Sequence, residues 1–167
     1  MRNAINRGDV IGPRINAVGG YITRPGGGGE VTGLPTGMVV PPAMRMGVAR
    51  TPKEVTRKVN RMFALGADSI KLIATGAVLT EGTEPGQIEL SGPMIAAAVN
   101  AAKAHGSWVT SHAHGAAGIR LAIANGSRGI EHASLIDDQG IAMAKTHGTY
   151  LVMDVYNGDY IAHLRFL

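Results

Sequence analysis

Four polar side chains recur at nearly the same place in four successive units of this sequence. In each unit a glycine is followed, five or six residues later, by a side chain that can bind a metal ion or carry a proton. The four side chains are Lys71, His112, His132 and Asp154, which follow Gly66, Gly106, Gly126 and Gly148. Two histidines on adjacent strand ends could coordinate one divalent ion through their imidazole nitrogens.

Each of these residues also has a plain structural interpretation. A single histidine near a strand end is more often a hydrogen-bonded structural residue than a ligand. Lys71 lies in an apolar run, where its charge must be removed, paired or extended to solvent at the strand end. Asp154 can cap the turn that follows it, and we favour that role over metal binding. Only the shared position of the four residues favours a metal site.

Alternating helices and strands must position these side chains. Thr51, Pro52 and Glu54 form a capping box that begins a helix, whose apolar residues then recur every three or four positions up to Gly66. Three further helices are predicted at residues 91–105, 116–125 and 137–147. The predicted strands are Ser69–Thr75, Trp108–His112, Gly129–Ala133 and Tyr150–Val155, with a possible fifth at Arg14–Val18.

Residues 18–50 contrast with the regular units at 51–155, because they are rich in glycine and proline. Such a segment loses too much backbone entropy to form a regular element, so it is predicted to be a long loop. The four consecutive glycines after Pro25 do not make a phosphate-binding loop, since no Gly-Lys-Ser/Thr follows them. A mobile lid and a surface excursion are both compatible with this composition.

The alternation of helices with apolar strands predicts parallel strands, in either a doubly wound sheet or a (β/α)8 barrel. No G-x-G-x-x-G fingerprint follows a strand, which disfavours a dinucleotide-binding sheet. A whole barrel usually needs about 250 residues, whereas these 167 residues supply four clear units. The sequence therefore predicts an α/β fold, a partial (β/α)8 TIM barrel that forms one domain over residues 1–167.

Composition narrows the possible partners. Hydrophobic residues make up 45% of the chain and charged residues 17%, which is typical of a globular protein. No apolar run approaches the roughly 20 residues of a membrane span, and no secretory leader is apparent, so no membrane partner and a cytoplasmic location are expected. Without cysteine, a metal must use nitrogen and oxygen ligands. The net charge is +4, but the basic residues are spread along the sequence and aromatic residues make up only 4% of it. Both features disfavour nucleic-acid binding.

Three segments resemble the amidohydrolase superfamily, and most closely its imidazolonepropionase-like and Xaa-Pro dipeptidase-like branch. They are the lysine segment from Gly66 to Gly76, the H-A-H-G motif at residues 112–115 and the E-H motif at residues 131–132. As an ordered set these motifs are specific, and the resemblance runs from about Met1 to about Asp154. It implies a (β/α)8 barrel that holds two divalent metal ions, usually zinc.

The resemblance also implies roles for single residues. Lys71 matches the lysine that is carboxylated and bridges both metals, and His112 and His132 match two metal-binding histidines. His114 matches a position that contacts the substrate, often its carboxylate, although a supporting hydrogen bond is an equal alternative. Glu131 alternates to the opposite face from His132 and is therefore interpreted as structural. Metal-bound hydroxide would then hydrolyse an amide or peptide C–N bond, as in a dipeptidase or carboxypeptidase.

The chain also departs from the family pattern. The only H-x-H sequence is His112-Ala-His114, on a later strand than the family's first-strand motif, and the eighth-strand aspartate and small β-sandwich have no counterpart. We therefore expect a barrel fragment with about strands three to seven, which lacks both ends of the family fold. The isolated chain is expected to bind zinc weakly and to be inactive. A dipeptide-like or other small substrate is expected, homo-oligomerisation is left open, and a catalytically incomplete remnant is the alternative.

Overall fold

The computed structural model describes residues 1–154, and in them five parallel strands form one sheet in chain order. The strands are β1 (Tyr21–Ile22), β2 (Ile70–Ile73), β3 (Val109–Gly115), β4 (Gly129–Leu135) and β5 (Tyr150–Met153). The helices are α1 (Arg2–Asn6), α2 (Pro52–Ala64), α3 (Gly92–Ala104), α4 (Ala116–Ala124) and α5 (Asp138–His147), and Pro42–Arg45 forms a 3₁₀ turn. Each of β2, β3 and β4 is followed by a helix and the next strand, so the predicted partial (β/α)8 barrel is confirmed.

Helix α2 begins where the capping pattern places it. The Thr51 hydroxyl oxygen accepts a hydrogen bond from the Glu54 backbone N–H at 3.2 Å, and Pro52 occupies the first helical turn. The Glu54 carboxylate reaches back to accept from the backbone N–H of Arg50 at 2.7 Å. The first contact satisfies an amide that the first turn leaves without a helical partner, and the second ties the residue before the cap to that turn. The start of α2 is therefore well determined by local sequence.

The hydrophobic core lies between the sheet and the helices on its outer face. Strands β2 and β3 turn alternate residues toward the helices, including Ile70, Leu72 and Val109, all of which are fully buried or nearly so. Helix α3 packs against them with an alanine-rich surface, which lets its backbone approach closely. Burying one such aliphatic side chain contributes about 1.5–3 kcal/mol, so this face stabilises the fold. The opposite, inner face of the sheet is left to carry polar side chains.

The first strand is not where the sequence predicted it. Residues 14–18 are not a strand, whereas Tyr21–Ile22, inside the segment predicted to be a loop, pair with Lys71–Leu72 of β2. Ile22 is fully buried, which explains why these two residues join the sheet. Ala17 is instead held by Asp68, whose carboxylate accepts the Ala17 N–H at 2.8 Å and whose own N–H donates to the Ala17 carbonyl at 2.7 Å.

The other predicted strands are confirmed with shifted ends. Strands β3 and β4 extend two residues or more beyond their predicted carboxyl ends, which brings the histidine motifs into the sheet itself. Strand β5 ends at Met153, and Val155 of its predicted range lies outside the described residues. Within residues 1–154, no helix combines the length and the apolar character needed to cross a membrane.

The four glycines belong to a segment, residues 25–30, that we call the glycine strap. Its amides are bonded to carboxylates of the protein: Gly26 N–H donates to Glu30 at 2.6 Å and Gly28 N–H donates to Glu89 at 2.8 Å. A phosphate cradle needs free amides, so these bonds give a physical reason why the strap is not one. The strap is a packed element against the end of the sheet.

Candidate functional site

Three imidazoles meet at the carboxyl end of the sheet. His112 and His114 project from β3 with a spacing of two residues and therefore share its inner face. His132 comes from β4, and the three ring centroids lie 4.6, 4.6 and 4.9 Å apart. One nitrogen from each ring can be chosen so that all three lie within 4.8 Å of one another. A small movement of these side chains would let them share one ion, since metal–nitrogen bonds are about 2.0–2.1 Å long.

A backbone irregularity brings His132 into this cluster. The sheet pairs Ala113 with His132 but Gly115 with Leu135, so β4 contains an extra residue and forms a bulge. His132 and Ala133 are the described non-glycine residues with positive φ, at 71° and 51°. Ala113 faces the helices, so regular pairing would turn His132 to that side of the sheet. The left-handed turn at the bulge instead directs its ring toward His112 and His114.

The bulge also corrects the interpretation of Glu131. The sequence analysis placed Glu131 on the face opposite His132 because regular strands alternate. In the structure its carboxylate forms an ion pair with the Lys71 ammonium and accepts a hydrogen bond from the Thr110 hydroxyl at 2.8 Å. Both partners lie on the inner face, so Glu131 and His132 contribute to the same side of the sheet. Alternation fails here because the backbone at residue 132 is not extended.

The strain at the bulge gives a first prediction. We expect Ala133→Val to lower the free energy of unfolding by about 1–2 kcal/mol, because a β-branched residue is poorly accommodated at positive φ and Ala133 is fully buried. Ala133→Gly should be neutral or stabilising by up to about 1 kcal/mol. Urea unfolding of the two variants measures both effects. Equal losses in both variants would show that packing around Ala133, and not its φ, sets the cost.

Each imidazole has one ring nitrogen held by a neighbour. His112 Nε2 lies 3.1 Å from the Gly76 carbonyl oxygen, and His114 Nδ1 lies 3.0 Å from the Ser134 hydroxyl. His132 Nδ1 contacts the Asp154 carboxylate. In metal centres, such outer partners fix the ring orientation and the tautomer, and leave the other nitrogen for the ion. All three imidazoles of the cluster have this arrangement.

Burial favours the uncharged form of two of the imidazoles, His112 and His114. Exclusion from water lowers the pKa of the His112 imidazole to about 4, and the neighbouring His114 and His132 lower it further. Burial also lowers the pKa of His114, with His132 as the second cause. A histidine must be neutral to bind a metal ion, so His112 and His114 are ready to act as ligands at neutral pH without first losing a proton.

Lys71 lies on the inner face of β2, two residues before Ile73, which pairs with His112. Burial lowers the pKa of its ammonium to about 8, while Asp154 acts in the opposite direction. The side chain is only 15% exposed, and Glu131 is its ion-pair partner. The cost of burying a lysine in this apolar run is therefore offset by a carboxylate from β4, two strands away.

The structure places all the predicted site residues near one another, but only the three histidines converge on one point. His112, His114 and His132 converge, Asp154 contacts His132, and Lys71 contacts Glu131 beside them. Sequence reasoning missed Gly76, Ser134 and the contact made by Glu131. A signal existed for Ser134, which stands two residues after His132 in the E-H-A-S segment. Gly76 acts through its carbonyl, and no side-chain pattern could have identified it.

Comparisons with known proteins agree with this architecture. The model of the amidohydrolase family matches residues 1–166. An ochratoxinase from Aspergillus niger is 29% identical over 164 aligned positions, which cover 91% of this chain and 34% of that protein. This chain therefore spans about a third of the length of the curated relatives it matches.

Two solved structures are also similar. A Xaa-Pro dipeptidase with methionine in its active site is 36% identical with a TM-score of 0.88, over 97% of this chain and 40% of that one. A prolidase complexed with N-methylphosphonate-L-proline is 30% identical with a TM-score of 0.81, over 91% of this chain and 38% of that one. Both alignments cover nearly all of this chain and less than half of the other protein.

Proposed function

The chain belongs to the amidohydrolase family, and on that premise we propose that it supplies the metal-binding part of a hydrolase that cleaves amide or peptide-type C–N bonds. The observation that carries the proposal is the convergence of His112, His114 and His132, each with one ring nitrogen already bonded to a neighbour. His112 and His114 are buried and His132 is partly buried, and the second ring nitrogen of each is left for a shared ligand.

The donor set fits a divalent ion such as zinc, which imidazole nitrogens bind well, and we propose two zinc ions in the complete site. His112 and His132 would bind the metal, as the resemblance implies. Lys71 would join them after carboxylation, when its nitrogen attacks carbon dioxide and releases a proton to form an anionic carbamate. A bound divalent ion would supply Lewis acidity, which polarises the substrate carbonyl and activates water.

The environment of Lys71 favours that carboxylation. Only the neutral amine attacks carbon dioxide, and an ordinary lysine with a pKa near 10.4 is almost entirely protonated at pH 7. With the pKa lowered by burial to about 8, roughly a tenth of Lys71 is neutral at that pH. The ion pair with Glu131 has to separate for this reaction, because the carbamate and the carboxylate would repel each other.

His114 has the geometry of a substrate-binding residue. When the Ser134 hydroxyl donates to Nδ1, the proton of the neutral ring lies on Nε2. That N–H can donate a hydrogen bond to a substrate carboxylate beside the metal ligands. A dipeptide or an N-acyl amino acid would present such a carboxylate next to its scissile amide. The dipeptidase and prolidase similarities support this substrate class.

A second candidate function follows from the extent of the chain, which spans 34–40% of the relatives above. Among the described residues, β1 pairs only with β2, and β5 pairs only with β4. The second candidate is therefore a catalytically incomplete barrel with a partial metal site. Under either candidate we expect no turnover by the 167-residue chain alone. Cytoplasmic location stays a prediction, and homo-oligomerisation stays open.

The experiment is a zinc titration of the purified, untagged chain with and without bicarbonate, followed by assay on a panel of dipeptides. We expect zinc binding that bicarbonate strengthens in the wild-type chain. Lys71→Ala should lose the bicarbonate effect, and the helix α3 variant Lys103→Ala should keep it. Absence of zinc binding in both conditions would refute the proposed site. Robust dipeptide turnover by the chain alone would refute its predicted inactivity.

A further inference from the structure

Glu89 is a buried carboxylate that the proposed chemistry does not use. It lies in the loop between β2 and α3, and its side chain is fully buried. One carboxylate oxygen accepts the Gly28 N–H of the glycine strap at 2.8 Å. The other lies 3.4 Å from the Arg24 guanidinium, which stands just before the strap. Glu89 therefore joins the β2–α3 loop to the strap by two charge-assisted contacts.

The same loop also reaches the histidine cluster. The Glu89 N–H donates to the Ala74 carbonyl at 2.9 Å, and the Gly76 N–H donates to the Gln87 carbonyl at 2.9 Å. The loop thus folds back on the end of β2, and its two arms are bonded to each other. The Gly76 carbonyl at the inner bend of this loop is the group that faces His112 Nε2.

The strap fits against this loop with little free space. A Cβ placed on Gly28 would lie 2.8 Å from the Ala77 nitrogen, next to Gly76. A Cβ on Gly27 would lie 2.5 Å from the Glu89 carboxylate itself. The Thr80 hydroxyl, on the loop, also donates to the Gly28 carbonyl at 3.0 Å. The strap and the loop are in direct contact on the side where the loop supports Gly76.

We propose that Glu89 is a positioning residue, which docks the glycine strap onto the β2–α3 loop and thereby holds the Gly76 carbonyl that orients His112. Its relevance to catalysis rests on the proposed function, in which His112 binds the metal. The docking itself does not depend on any ion. Burial raises the pKa of the Glu89 carboxyl, because it disfavours the charged form. The Gly28 amide and Arg24 act in the opposite direction and stabilise the carboxylate.

Three substitutions separate this role from a contribution to overall stability. Glu89→Leu removes both contacts, while Glu89→Gln keeps an oxygen that can accept the Gly28 N–H. Gly28→Ala leaves Glu89 unchanged but places a methyl group between the glycine strap and the β2–α3 loop, which opposes their contact. Gly86→Ala is the matched control in the β2–α3 loop, because its Cβ would enter open space and its backbone has no positive φ.

Two measurements are made on the full chain in the presence of a chelator. Amide hydrogen exchange is followed at residues 25–30 and at helix α5 as a remote reference. Nitrogen NMR of the imidazole rings reports the tautomer of His112. For Glu89→Leu and Gly28→Ala we expect exchange at the strap to rise by roughly tenfold or more with α5 unchanged, and His112 to become a mixture of tautomers. Glu89→Gln and Gly86→Ala should stay within about threefold of the wild type.

The proposal is overturned if exchange rises equally at the strap and at α5, or if the strap opens while the His112 tautomer stays as in the wild type. If Glu89→Leu does not fold, Gly28→Ala and Glu89→Gln decide the question by the same criteria. Because no metal is present, failure of zinc binding would count against the proposed function and leave this result unaffected.

Discussion

His132→Ala is expected to weaken zinc binding to this chain by about 100-fold or more. His132 contributes one of the three converging imidazoles, and its ring is already oriented by Asp154. In the proposed site His132 is a direct metal ligand, so its loss removes a full metal–nitrogen bond, whereas losing an outer partner typically costs only 10–100-fold. The bulge that directs this ring would be retained in the variant, so the sheet should stay intact.

Competition with a chromophoric zinc chelator measures this effect. His147→Ala is the matched control, because His147 is an exposed histidine in the last turn of α5, away from the cluster. We expect its zinc affinity to remain within about twofold of the wild type, which would exclude the exposed His147 as a zinc ligand. An unchanged affinity in His132→Ala would mean that zinc binds elsewhere on the chain.

Acidification of the metal-free chain is expected to lower its stability, and protonation of His112 is one cause of that loss. The pKa of this imidazole is about 4 in the folded chain and 6.5 in its ordinary state. The unfolded chain therefore takes up a proton first as the pH falls. The stabilising contribution is complete above pH 6.5 and is lost as the pH falls toward 4. The difference of about 2.5 pH units corresponds to about 3 kcal/mol.

Urea unfolding between pH 7 and pH 4.5, with a chelator present, tests this expectation. His112→Gln cannot be protonated in this range, so its unfolding free energy should fall less steeply with pH than that of the wild type. His147→Gln should keep the slope of the wild type, because it removes an exposed histidine. Parallel slopes for the wild type and His112→Gln would contradict the assignment of the acid sensitivity to His112.

Much of the fold could be predicted from the sequence because its signals are local. The capping residues of α2, the glycines after the helices and the apolar runs each act within a few positions, and β2 to β5 follow from them. The first strand escaped prediction because it consists of two residues, Tyr21–Ile22, which are defined by their pairing with β2. A two-residue strand has no periodicity to detect.

The site also contains features that local sequence predicts and features that depend on strand pairing. The spacing of His112 and His114 places them on one face of a strand without further information. His132 reaches them through a bulge, which depends on how β4 pairs with β3 and has no local signature. The Lys71–Glu131 ion pair joins residues 60 positions apart on non-adjacent strands, so only the assembled sheet reveals it. The motifs identified the histidines that converge in the structure, although regular alternation could not explain their convergence.

The contact between His132 and Asp154 makes the cluster sensitive to a distant part of the chain. Asp154 directly follows the last residue of β5 and reaches back to an imidazole 22 positions earlier. Any binding event that displaces the end of β5 would rotate this imidazole and change the zinc affinity. The zinc affinity would therefore report on the position of the end of β5. Asp154→Asn, which alters the contact with His132, would change the zinc affinity at a given position of that end.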